Sequence, residues 1–140
     1  MLIRQSRALV RGAFTLMEML VVVAILVVLA GAAVPIYMNY LERAKVDRAW
    51  ADAKTLAGAV EAYKLGNGGN APDSLAALTQ PDPVTGKPYL DQSALKDPWQ
   101  NDYHYQAVGS RTSTGRVEVW SGGPRGNMEI GSWMSSPTGP

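Results

Sequence analysis

The chain has 140 residues, 46% of them hydrophobic, with no cysteine, one histidine and a formal net charge of +1. This composition excludes a disulfide framework, a thiol nucleophile and a cysteine-based zinc centre. No nucleic-acid footprint is expected either, because loss of Arg4, Arg7 and Arg11 from the N-terminus takes the formal charge from +1 to −2. His104 stands between Tyr103 and Tyr105 and reads as a strand residue. Thr85-Gly86-Lys87 lacks the glycine spacing of a phosphate loop, so an enzyme is not expected.

Residues 1–13 form a basic leader with three arginines and no acid. The stretch Met19–Met38 carries no charge and has the roughly 20 residues needed to cross a hydrocarbon core of about 30 Å. A positive N-terminal flank stays cytoplasmic and sends the rest of the chain across the membrane. Glu18, at the mouth of this run, is the one charged residue between Phe14 and Tyr40. A carboxylate at the centre of a spanning helix costs about 2.5–3.5 kcal/mol on insertion scales, which makes Glu18 a functional candidate. The plainer alternative is a side chain bending into the lipid headgroups. Gly31 and Pro35 predict a kink or an unwound turn, since proline removes a helical hydrogen bond and crowds the preceding turn.

The helix continues as an amphipathic segment over residues 39–66. Val46, Ala49, Ala53, Leu56, Val60 and Tyr63 recur at steps of three or four and define its core face, widened by Trp50 and Ala57. Gly66-Asn67-Gly68-Gly69 supplies a stop. Residues 67–134 read as a small C-terminal region. Pro72–Leu78 predicts a short helix and Gln80–Pro88 a turn-rich loop. His104–Val108 and Arg116–Trp120 predict antiparallel strands, with a third short strand over Ile130–Trp133. Residues 135–140 predict a flexible tail. The expected fold is therefore α+β, a long helix packed on a small antiparallel sheet.

The basic leader followed by Phe14-Thr15-Leu16-Met17-Glu18 and an unbroken apolar helix resembles the N-terminus of type IV prepilins and type II secretion pseudopilins, usually Gly-Phe-Thr-Leu-x-Glu. The resemblance implies a pilin-like fold, cleavage before Phe14 by a prepilin peptidase, N-methylation of Phe14, and pairing of Glu18 with a neighbouring subunit's amine during assembly. It also makes the Gly31–Pro35 segment the place where the helix melts within a filament. One departure concerns processing. Ala13 precedes Phe14, with Gly12 one place earlier, so cleavage follows either Gly12 or Ala13. Only the cut after Ala13 keeps the Phe14-to-Glu18 spacing. Asp97-Pro98-Trp99 with Tyr103, and Glu129-Ile130-Gly131-Ser132-Trp133, are similar to the Asp-Pro-Trp-Gly-x-Pro-Tyr and Asp-Ile-Gly-Asn-Trp segments of the major, G-type pseudopilin.

That narrower resemblance implies a subunit of a type II secretion pseudopilus, a homo-oligomeric filament that drives protein export. It would sit in the bacterial inner membrane as a single-pass protein, in lipid before assembly, with its C-terminal region in the periplasm. Its implied partners are minor pseudopilins, the prepilin peptidase and an inner-membrane platform protein. Two alternatives stand beside it. One is a type IV pilin of an extracellular pilus. The other is a soluble exported binding module, released by signal peptidase at Ala30-Gly31-Ala32, although Thr15 and Glu18 fit poorly at the head of a signal-peptide apolar region. Major pseudopilins bind calcium in a C-terminal loop, but here Ser121–Glu129 offers Arg125 where an aspartate is expected, leaving Asn127 and Glu129 as weak candidates. No metal or other cofactor is expected, and Arg125 either stands in for the ion by bridging Glu129 and loop carbonyls or lies exposed on a flexible loop.

Overall fold

In the computed structural model, residues 14–111 and 115–137 are described. The leader, including Gly12 and Ala13, lies outside them, as do residues 138–140 of the expected tail. The chain divides into two compact units between Asn39 and Tyr40.

Helix α1 runs from Leu16 to Gly66. Among the described residues it is the one helix long and apolar enough to cross a membrane. Its first part leaves large apolar side chains uncovered, with Leu26 58% and Val28 73% exposed. Helical structure is continuous through Gly31 and Pro35. Pro35 has no N–H to offer the Gly31 carbonyl four residues back. Gly31 has no side chain, and the space around it is open.

From Tyr40 onward the apolar stripe governs packing. Ala49, Ala53, Leu56 and Val60 are buried, at the steps of three and four that bring side chains onto one face. Ala53, Leu56 and Val60 share a core cluster with Leu75, Leu78, Tyr103, Val117 and Val119. The helix stops where Gly68 and Gly69 take φ of 67° and 89°, conformations that cost glycine little. The Gly69 N–H bonds the Lys64 carbonyl at 2.8 Å, and the Asn67 side chain bonds the Tyr63 carbonyl at 2.9 Å.

The sheet has the antiparallel order β1-β2-β3, with β1 His104–Gln106, β2 Glu118–Ser121 and β3 Ile130–Gly131. All three strands are shorter than the sequence predicts. Val108 is exposed and Trp133 lies in a turn, so neither joins the ladder. The helix expected over Pro72–Leu78 is a 3-10 turn over Leu75–Thr79, and a second such turn, Gln92–Leu95, was not foreseen.

Candidate functional site

Three features hold the chemistry-bearing residues. At the start of α1, Thr15 Oγ1 accepts the Glu18 N–H at 3.1 Å. Thr15 is thus the N-cap and Glu18 the third helical residue, the spacing of a capping box. The sequence reading took Glu18 as a candidate assembly residue, and the Thr-x-x-Glu spacing of a cap, visible in the same stretch, was missed. A carboxylate in the first turn also meets the positive end of the helix dipole, which lowers the cost of carrying it into an apolar setting. Phe14 and Glu18 are both exposed.

The second feature is the Asp97-Pro98-Trp99 loop. Asp97 is 1% exposed and accepts the Trp99 and Asn101 N–H groups on Oδ1, at 3.0 and 2.8 Å. On Oδ2 it accepts the Ser121 hydroxyl at 2.6 Å, and Ser121 Oγ in turn accepts the Gly123 N–H at 2.9 Å. One carboxylate therefore ties the loop to the end of β2. The Gln100 N–H closes a turn onto the Asp97 carbonyl at 2.9 Å, with Pro98 in the second place where its fixed φ suits a turn. From this loop the Trp99 indole donates to Glu42 of α1 at 3.1 Å. Lys45 donates to the same carboxylate at 2.8 Å, and the bonds from Lys45 and then Trp99 hold the Glu42 pKa below its ordinary value. Tyr103 reaches α1 as well, with its hydroxyl 3.4 Å from the Ala49 carbonyl and 3.5 Å from Asp52. Burial, followed by the Asp52 and Asp97 charges, pushes its pKa up, so the phenol stays protonated. Asp97, Pro98, Trp99 and Tyr103 thus form one clasp that fastens the loop to the helix.

Gln100 completes the turn at φ 70°, the one non-glycine residue described with a positive φ. Left-handed backbone costs a residue with a Cβ about 1–2 kcal/mol, partly offset by the greater chain entropy that glycine loses on folding. Gln100→Gly is expected to raise stability by about 0.5–1 kcal/mol, read as a higher midpoint of thermal unfolding. An unchanged or lower midpoint would show that the Gln100 side chain contributes more than its backbone conformation costs.

The third feature surrounds Glu129. Arg111, just beyond β1, donates from Nη2 to Glu129 at 2.9 Å and from Nη1 to Glu118 at 3.1 Å. Arg125 lies exposed on the turn at residues 124–126, so the predicted bridge between Arg125 and Glu129 is replaced by one from Arg111. Trp133, read from sequence as part of a strand, packs at this guanidinium instead. Burial works against the Arg111 charge, but its hydrogen bonds to Glu118 and Glu129 outweigh that and push its pKa up. Calcium asks for about six to eight oxygen ligands, several of them carboxylates. Asn127 is exposed, Glu129 is engaged by Arg111, and among the described residues no three His, Cys, Asp or Glu side chains converge as metal ligands. The donor set does not fit the ion.

The sequence profile of the family "Type II secretion system (T2SS), protein G" matches residues 36–132. The chain is 35% identical to the type II secretion system core protein G of Pseudomonas aeruginosa, over 88% of this chain and 95% of that protein. It is 34% identical to the protein of the same description from Vibrio cholerae, over 86% of this chain and 90% of the relative. For that of Klebsiella pneumoniae the identity is 33%, over 86% and 92%. No solved structure matches the chain with comparable significance. An apolar helix fitted to single-pass anchoring, a small antiparallel sheet on its second half and this similarity along most of the chain lead to one assignment, favoured over a pilus-forming pilin or an exported binding module: the protein belongs to the protein G family of type II secretion, the pseudopilins.

Proposed function

We propose that the chain is cut after Ala13, methylated on Phe14, and held in the inner membrane with its C-terminal region in the periplasm until it joins a homo-oligomeric filament that drives protein export. The observation that carries this reading is the uncovered apolar surface of α1 with a single carboxylate in its first turn. Such a surface needs either lipid or other copies of itself around it, since exposed apolar area costs about 25 cal/mol per Å². In a filament, residues 14–38 form the core and the C-terminal regions the surface. Processing leaves an ammonium at Phe14. Within an apolar core that ammonium and a neighbour's Glu18 are each costly alone and tolerable together, which fixes the stagger between subunits. A prepilin peptidase, an inner-membrane platform protein and minor pseudopilins are the partners this life cycle calls for. The role is structural, with no cofactor and no catalytic step. Mass spectrometry of the mature chain from membranes is expected to find an N-methylated Phe14 at its start. A chain beginning at Ala33 would be incompatible with filament assembly through α1.

A further inference from the structure

One guanidinium joins three segments of the C-terminal region. Arg111 follows β1, Glu118 opens β2, and Glu129 directly precedes β3. Besides its two side-chain bonds, Arg111 donates its backbone N–H to Glu118 Oε1 at 2.7 Å. The Glu118 side chain is 1% exposed, and no other cationic side chain is paired with it among the described ion pairs. Gly109 makes the approach possible, because a Cβ there would collide with the Glu118 carboxyl and the Arg116 carbonyl. The guanidinium carbon lies 4.4 Å from the centre of the Trp120 ring and 4.6 Å from that of Trp133. A Cβ at Gly131 would strike the Trp133 ring, so this position too is shaped to seat the aromatic wall.

We propose that Arg111 is the built-in cation of this region, clamping the β2–β3 loop onto the β1–β2 hairpin, and that the fold of this chain is consequently independent of calcium. A buried carboxylate such as Glu118 needs a counter-charge, and Arg111 supplies it with a fork whose second nitrogen reaches Glu129. The two tryptophan faces select the kind of cation. Ring faces attract a weakly hydrated guanidinium but offer no lone pair to a hard divalent ion, whose ligands must be oxygens. Both oxygens of Glu118 are engaged by Arg111 and one oxygen of Glu129 is as well, so an entering ion would compete with Arg111 for the two carboxylates. Arg111 therefore does with one side chain what a metal does elsewhere, joining loops through a shared positive charge.

The test is thermal unfolding of the full-length chain in detergent, followed by tryptophan fluorescence, in millimolar calcium chloride and in chelator. The expected result is one midpoint in both conditions. Arg111→Gln lowers that midpoint by about 10 °C, because it strands Glu118 without a counter-charge. Arg111→Lys, which keeps the charge and loses the fork, lowers it by a few degrees, and Arg125→Gln leaves it in place. A midpoint that rises with calcium and falls with chelator overturns the proposal. So does an Arg111→Lys chain that melts with the wild type, or an Arg125→Gln chain that melts as low as Arg111→Gln.

Discussion

Glu18→Gln is expected to abolish filament assembly while leaving membrane insertion and processing intact. The substitution removes one charge and keeps size, polarity and helical register, so the cap made by Thr15 Oγ1 on the residue-18 N–H survives. On the pairing proposed above, what is lost is the partner for the next subunit's N-terminal ammonium. Breaking a buried ion pair by removing one partner costs about 3–5 kcal/mol, which is roughly 10²- to 5 × 10³-fold in subunit association. Each subunit both gives and receives the contact, so the loss repeats along the filament. Sheared filament recovered by sedimentation should fall below detection, with the processed chain still present in membranes at wild-type level. Filaments of normal abundance from the Gln variant would show that Glu18 acts as a headgroup-facing surface residue instead.

The second large effect belongs to Asp97. Asp97→Ala removes a carboxylate that is 1% exposed and leaves the half-buried Trp99 and Asn101 N–H bonds and the buried Ser121 hydroxyl without their acceptor. Each orphaned buried donor costs about 1–3 kcal/mol, and part of the loss is recovered by relaxation, so a destabilisation of about 3–4 kcal/mol is expected. That is a large fraction of the roughly 5–15 kcal/mol that holds an ordinary domain together. Asp97→Asn keeps the acceptor for both backbone N–H groups. Its amide nitrogen then faces Ser121 Oγ, which already accepts the Gly123 N–H, so the hydroxyl loses its own acceptor and the cost is about 1–2 kcal/mol. Urea unfolding of the chain in detergent separates the two. Equal losses for Ala and Asn would mean that the negative charge, and not the hydrogen-bond geometry, is what the site requires.

Much of this fold could be read from sequence because its determinants are local and periodic. Ala49, Ala53, Leu56 and Val60 announce a helix face by spacing alone, and Gly66-Asn67-Gly68-Gly69 announces its end. The strands are shorter than expected because their pairing is set by partners far along the chain: β1 pairs with β2 from His104–Trp120 to Gln106–Glu118, and β2 with β3 only at Trp120–Gly131 and Ser121–Ile130. The Asp-Pro-Trp motif was legible as a motif. Its reach to Glu42 was not, since the two are 57 residues apart. Arg111 was missed for the same reason. Its carboxylates lie seven and eighteen residues away, whereas Arg125 drew attention only by standing near Glu129 in sequence. Gln100 gave no warning at all, because glutamine carries no intrinsic preference for a left-handed backbone.

The bare apolar flank of α1 also bears on energetics. Lipid tails and the side chains of neighbouring copies are about equally hydrocarbon-like, so moving this helix from bilayer to polymer changes its solvation little. In the proposed filament, growth would then draw on a nearly isoenergetic reservoir, with direction left to polar contacts. A filament built this way can lengthen or dissolve back into the membrane without its subunits ever entering water.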